Sequence, residues 1–222
     1  MSRTSSGVSH ADAGSQSTAW AWASIDHPGR LRIEDFIRRR FFDEYKARIC
    51  HFLPELVCLM DAQGIHAAVG FSGALHRDLY LEQYLASPVE VALRQATGAR
   101  VGRDGIIEVG NLASSSPGGA RAIILTLARY FHEQDAEWVV FTGIPSLLNT
   151  FSRLGILTHD LGEARPESLR DQVTDWGTYY ASRPRVIGVS VPETFGHIGV
   201  NPVLARMMAR MPRLHLEDGR TV

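Results

Sequence analysis

The stretch from Ile106 to Thr142 constrains this chain more than any other. It reads as a strand, a turn of small residues, a long helix and a second strand. Ile106 to Val109 is apolar with one acidic insertion, Glu108. Ser116 and Pro117 give helix-start signals, a hydroxyl at the cap and a proline just inside it. The helix is expected from Gly118 to about Gln134. Glu137 to Thr142, with Trp-Val-Val-Phe at its centre, reads as a buried strand. A helix between two strands is a crossover connection. The two strands are therefore expected to be parallel neighbours with a right-handed link. Such a pair has to be covered on both faces.

The remaining elements must supply that cover. Trp20 to Ile25 reads as a first strand, and Arg30 to about Cys50 as a helix with apolar residues near helical spacing. Leu56 to Met60 and Ala67 to Leu75 read as a hairpin around Asp61-Ala62-Gln63-Gly64. Leu79 to Leu85 is apolar with polar insertions, and Pro88 opens a short helix to about Thr97. Pro145 to Leu154 is a helix stopped by Gly155, and a loop follows with a short helix around Pro166 to Leu169. Arg185 to Val191 is a late strand, and Asn201 to Met211 fits a last short helix. The expected fold class is α/β (mixed α+β), a central mixed sheet with helices on both faces. Residues 1–18 lack a hydrophobic period and are expected to be a disordered tail. Residues 19–195 form the expected domain, and residues 196–222 a C-terminal tail.

Charge and composition exclude several partners. The chain of 222 residues has 23 basic and 24 acidic side chains and a net charge of −1. No nucleic-acid partner is expected, because that needs a basic face. No apolar run approaches the roughly 20 residues of a transmembrane helix. The N-terminus has no apolar h-region, so no secretory signal is expected, and the expected location is cytoplasmic. Cys50 and Cys58 read as reduced thiols, since two cysteines build no disulfide framework. The histidines show no ligand spacing, so no metal site is expected.

Three groups of residues could carry chemistry. The turn Ser114–Arg121 opens a helix whose first amides lack intrahelical partners. Gly118, Gly119 and Ala120 would leave those amides bare to a phosphate, and Arg121 adds charge in the same turn. The same small residues would also serve close packing on a neighbouring strand. Glu108, at a strand end, could act as a base on an amine, or could cap backbone amides or pair with a buried arginine. Glu82, Gln83 and Tyr84 form a polar insertion in an apolar segment, suited to an acceptor pocket or to a half-wet edge strand. Trp176, Tyr179 and Tyr180 suit a pocket wall or the core, and Tyr179 joins the substrate-binding group. His51 beside Phe52 and Pro54 reads as structural.

The runs I106-I-E-V-G-N-L-A, S-S-P-G-G-A-R, W138-V-V-F-T and L148-N-T-F-S-R-L-G-I resemble the thermostable hemolysin family. So do H51-F-x-P-x-L, L81-E-Q-Y-L and W176-G-x-Y-Y-x-x-x-P-R-V. The layout also resembles the GNAT acyltransferase superfamily and the acyl-homoserine-lactone synthases. That resemblance implies a pyrophosphate-binding frame at Ser115-x-x-Gly118-x-Ala120, with Ser115 where Gln or Arg is usual. It groups Ser115, Ser116, Gly118, Gly119, Ala120, Arg121 and Asn149 as cofactor-binding. Glu108-x-x-Asn111-Leu112 is similar to the synthases' E-x-x-R-F, which makes Glu108 and Asn111 the catalytic candidates. Phe151 stands where a GNAT enzyme often has an acidic tyrosine, and phenylalanine donates no proton. The implied activity is acyl transfer to a small amine-bearing metabolite, with acyl-CoA or an acyl-carrier protein as co-substrate and no permanently bound cofactor. The alternatives are a membrane-active haemolytic protein and a non-catalytic binding protein.

Overall fold

The computed structural model describes residues 18–170 and 174–214. The expected disordered tail lies almost wholly outside the described residues. The chain runs through β1 (Ala19–Ala23), α1 (Arg30–Tyr45), β2 (Glu55–Asp61), β3 (Gly64–Gly73), α2 (Val89–Thr97), β4 (Ile106–Ser114) and α3 (Pro117–Glu133). It continues through β5 (Trp138–Gly143), α4 (Pro145–Arg153), β6 (His159–Glu163), β7 (Arg185–Ser190), α5 (Val191–Val200) and α6 (Pro202–Arg210). The sheet is seven-stranded, in the order β1-β2-β3-β4-β5-β7-β6. Among the described residues only β4 and β5 pair in parallel, and α3 connects them as the sequence requires. The result is the mixed α+β architecture expected.

Alternation along the strands divides the core between the two faces. Ile107 and Val109 face α3, in clusters with Ile123, Leu127 and Phe131 or with Ile124, Phe141 and Val189. Ile106, Trp138 and Val140 face α2 and pack with Leu81, Val89 and Leu93. Glu108 shares parity with Ile106 and faces the same way. On that face α1 covers the first strands through Ile33, Ile37 and Phe41, against Leu56 and Cys58.

Several boundaries differ from expectation, each for a local reason. The first helix stops at Tyr45, because Lys46 adopts a left-handed φ of 57° and its amide closes onto Phe41 O and Phe42 O. Leu79 to Leu85 holds a 3₁₀ turn, Tyr80–Tyr84, and is no strand. The loop after Gly155 contains edge strand β6, whose polar sequence His-Asp-Leu-Gly-Glu hides the usual apolar signal. Val191–Val200 is a helix that starts directly from β7, capped by Ser190 Oγ accepting from Glu193 N. The domain boundary expected at 195 therefore falls inside α5. The following segment is also tied to the fold. Arg129 donates to the carbonyls of Met208, Met211 and Pro212, and Trp20 Nε1 donates to Pro212 O.

Candidate active site

The parallel pair does not stay paired. The β4–β5 ladder runs from Ile106↔Trp138 to Val109↔Phe141, yet β4 continues to Ser114. Beyond Val109, β4 follows β3 instead, through a bulge between the Gly70↔Gly110 and Ala68↔Ala113 pairs. Asn111 sits in that bulge with φ 54°, a left-handed conformation that asparagine tolerates better than most residues. A cavity of about 560 Å³ occupies the resulting gap. It is lined from both faces of the sheet: Glu108, His51, Tyr80 and Tyr84 on the α1–α2 side, and Ile123, Leu127, Phe131 and Val189 on the α3 side. The opening between β4 and β5 thus joins two half-sites.

Glu108 stands at that junction, 4% exposed. Its two oxygens accept from Tyr80 N at 2.7 Å and Leu81 N at 3.0 Å. Burial raises its pKa most strongly, the two amides pull it back, and the charge of Glu82 raises it again. The result is about 7. A carboxyl with that pKa is substantially ionised at neutral pH and still basic enough to take a proton. Among the described residues it pairs with no arginine. It does cap backbone amides, and it lines the cavity as well.

The loop over Glu108 is built with care for position. Asn111 Oδ1 accepts from Leu53 N at 2.9 Å, and Asn111 Nδ2 donates to His51 O at 3.1 Å. Arg30 donates to Leu53 O and Pro54 O and pairs with Glu34. A Cβ on Gly70 or Gly110 would stand 3.0 Å from Leu53 Cβ or Cδ1, so glycine on both strands lets the loop lie close without displacement. The loop presents His51, whose ring stacks on Tyr80 at 4.3 Å. Asn111 lines the cavity, but its amide is committed to holding the loop.

The small-residue turn also divides its labour. Ser114, Ser115, Ser116 and Ala120 line the cavity. Ser115 N donates to His66 O, Ser116 N to Ser114 Oγ, and Gly119 N to Ser116 O. Of the helix amides read from sequence as bare, that of Gly119 is therefore engaged within the turn, while Ser115 N ties the turn to β3. Gly119 is buried, and a Cβ there would collide with Ser114 Oγ, so its smallness serves packing. A Cβ on Gly118 would meet only Ser116 Oγ, at 3.9 Å. Gly118, Arg121 and Asn149 are exposed and lie outside the cavity lining.

The polar insertion splits in the same way. Glu82 lies outside the cavity lining. It accepts from Leu79 N and Val89 N and pairs with Arg103 at 2.7 Å. Burial penalises its charge, but Arg103 and the amides outweigh that and hold its pKa below the usual value. Gln83 donates to Tyr80 O and accepts from Arg170 N, bracing the 3₁₀ turn. Tyr84 and Tyr179 do line the cavity. Tyr84 shares a 2.5 Å hydroxyl contact with Tyr180, and burial raises the pKa of both Tyr84 and Tyr179. The sequence reading missed the His51–Tyr80 stack and the apolar α3 half of the cavity. A helix stripe that faces a void looks the same in sequence as one that faces a core.

The thermostable hemolysin family model matches residues 23–195. The chain belongs to that family. No curated protein matches it by sequence. Among solved structures it is similar to FeeM, an N-acyl amino acid synthase from uncultured soil microbes, with TM-score 0.57 and 16% identity over 87% of this chain and 100% of that one. It is similar to the AHL synthase LasI, with TM-score 0.52 and 12% identity over 80% and 91%. The CoA-dependent acyl-homoserine lactone synthase BjaI, in a structure with SAM and isopentyl-CoA, gives TM-score 0.53 and 14% identity over 87% and 85%. At these identities the likeness is one of fold, the GNAT-like fold expected. No helix among the described residues is long and apolar enough to cross a membrane.

Proposed function

We propose that this chain is an N-acyltransferase that moves an acyl group from a thioester to the amine of a small metabolite. The observation that carries the reading is Glu108, with a pKa of about 7, placed where the cavity passes between β4 and β5. The amine enters from the side of His51, Tyr80, Tyr84 and Tyr179, and the thioester from the α3 side. The amine attacks the thioester carbon, a C–N bond forms, and the C–S bond breaks. Glu108 takes the proton that the nitrogen loses. The sulfur leaves as thiolate and is protonated by solvent, since thiols are acidic enough, about 8.5 for cysteine, to be competent leaving groups unaided. Phe151 is compatible with this route because no acid is required there. Asn111 acts by holding the His51 loop and does not touch the reacting atoms.

The donor is acyl-CoA or the phosphopantetheine of an acyl-carrier protein. The stretch of β4 beyond Val109 that β5 leaves unpaired suits the amides of a pantetheine arm laid alongside it as an extra strand. The phosphates would then lie by Ser115, Ser116 and Gly118, with Arg121 adjacent. Such thioesters place the reaction in the cytoplasm. What supports the reading against a membrane-active one is the internal, two-sided cavity. The test mixes decanoyl-CoA or decanoyl-carrier protein with a panel of amine metabolites, following thiol release and N-acyl products by mass spectrometry. Absence of both with every pair, alongside dye leakage from liposomes treated with protein alone, would sink it.

A further inference from the structure

We propose that the α3 half of the cavity measures its acyl group, accepting a saturated chain of about eight to twelve carbons, with Phe131, Val191 and Thr194 as the floor. This rests on the donor reading above and names the acyl class. Ala120, Ile123, Ile124, Leu127, Ala128 and Phe131 all line the cavity, and their spacing is that of one continuous helical face. The opposite wall is Val69, Val109, Val139, Phe141 and Val189. The charged groups in the lining, Arg40, Glu44 and Glu108, come from the other face of the sheet. Beneath α3 the void is therefore uncharged and mainly apolar, with Thr194 the one hydroxyl at its floor.

Protein interiors leave few voids larger than a water molecule, and water in an apolar void lacks partners. An open channel along three turns of a core helix is a costly feature unless something apolar fills it. Its length gives the chain. Ala120 to Phe131 spans about 16 Å at 1.5 Å per residue, and Ile124 to Phe131 about 10 Å. An extended hydrocarbon advances about 1.3 Å per carbon, given C–C bonds of about 1.5 Å. The carbonyl sits at the opening between β4 and β5, between those two levels on α3. The space below it then holds about eight to twelve carbons. An acetyl group would leave the channel empty. Val191 and Thr194, at the first turn of α5, close the far end beside Phe131.

The experiment titrates CoA and a saturated acyl-CoA series of two to eighteen carbons by calorimetry, with the matching acyl-pantetheine thioesters in parallel. Affinity should tighten about three- to fourfold per methylene, then stop improving at about ten carbons. Thr194→Phe should move that break about three carbons shorter and leave CoA affinity unchanged. Ala128→Leu, about 4.5 Å above Phe131 along α3, should shorten it by at least as much, and it serves if the first variant melts. Equal affinity for acetyl- and decanoyl-CoA, with CoA itself bound, would overturn the measuring channel and leave the donor reading standing. If CoA, acyl-CoA and acyl-pantetheine all fail to bind, the donor reading falls and takes this inference with it.

Discussion

The two halves of the cavity are built on opposite principles. On the α1–α2 side, polar groups are tied in place. Glu108 holds two amides, Glu82 holds two amides and Arg103, and Asn111 and Arg30 hold the His51 loop. On the α3 side the wall is aliphatic and phenyl, and it offers volume. A proton acceptor works only if its distance and pKa are fixed, which takes hydrogen bonds. A hydrocarbon chain needs only a dry space of the right length. The polar half should therefore fail sharply when one group changes, whereas the apolar half should fail by degrees.

The largest expected effect is at Glu108. Glu108→Gln keeps the size and one acceptor oxygen but takes no proton, so turnover should fall by about 10² to 10⁴. One of the two amides that Glu108 holds then loses its acceptor, so stability should fall by about 1–3 kcal/mol, and donor affinity should persist. A variant that retained a tenth of the wild-type rate would end the base assignment. The pH dependence sharpens the point. The wild-type rate should rise through about pH 7 as Glu108 ionises. Stability should run the other way. The native pKa lies above the unfolded value of about 4.3, so the native state keeps its proton longer. Stability therefore falls as pH rises from about 4.5 to about 7 and is level above that. The shift corresponds to about 4 kcal/mol at most. Denaturant titrations across that window should slope for wild type and lie flatter for Glu108→Gln.

A smaller effect is expected at Arg103, which steadies the frame without touching substrate. Arg103→Met leaves Glu82 and Glu90 without their cation and should cost about 2 kcal/mol, discounted because the pair is partly exposed. Glu82→Gln removes the neighbouring charge that helps to raise Glu108, so the rise in rate should move to lower pH. A merely structural Glu82 would change stability and leave the pH profile where it is.

The same contrast explains what the sequence could reveal. The β4–α3–β5 unit was legible because period, proline and cap residues agree over a long stretch. Glu108 stood out as a lone carboxylate in an apolar strand. The role of Asn111 was hidden, because its partners Leu53 and His51 lie 58 and 60 positions away. Gly119 misled for a related reason. A small residue at a helix start looks alike whether it exposes amides or admits a neighbour's side chain, and Ser114 Oγ decides for the second. β6 was hidden by polar edge composition, and α5 because it begins without a loop after β7. The channel was hidden because an unfilled space leaves no trace in a hydrophobic pattern.

The smallest effect is expected from restoring the tyrosine that this chain lacks. Phe151 lines the cavity and stacks on Phe141 with ring centroids 5.0 Å apart and an interplanar angle of 19°. Phe151→Tyr adds one hydroxyl to that ring and keeps its bulk. If thiolate departure needed help, the new donor would raise the rate in the manner of a general acid, about 10²-fold or more. The leaving group, however, is a thiol, and thiols are acidic enough, about 8.5 for cysteine, to depart as anions without a proton donor. The step that demands a positioned group is removal of the amine proton, and Glu108 already supplies it. Phe151→Tyr should therefore change turnover by less than about tenfold, with the pH profile still centred on Glu108. A large gain, or a new alkaline limb from the tyrosine, would show that leaving-group protonation limits the reaction. The α4 side would then need the same polar precision as the face that carries Glu108.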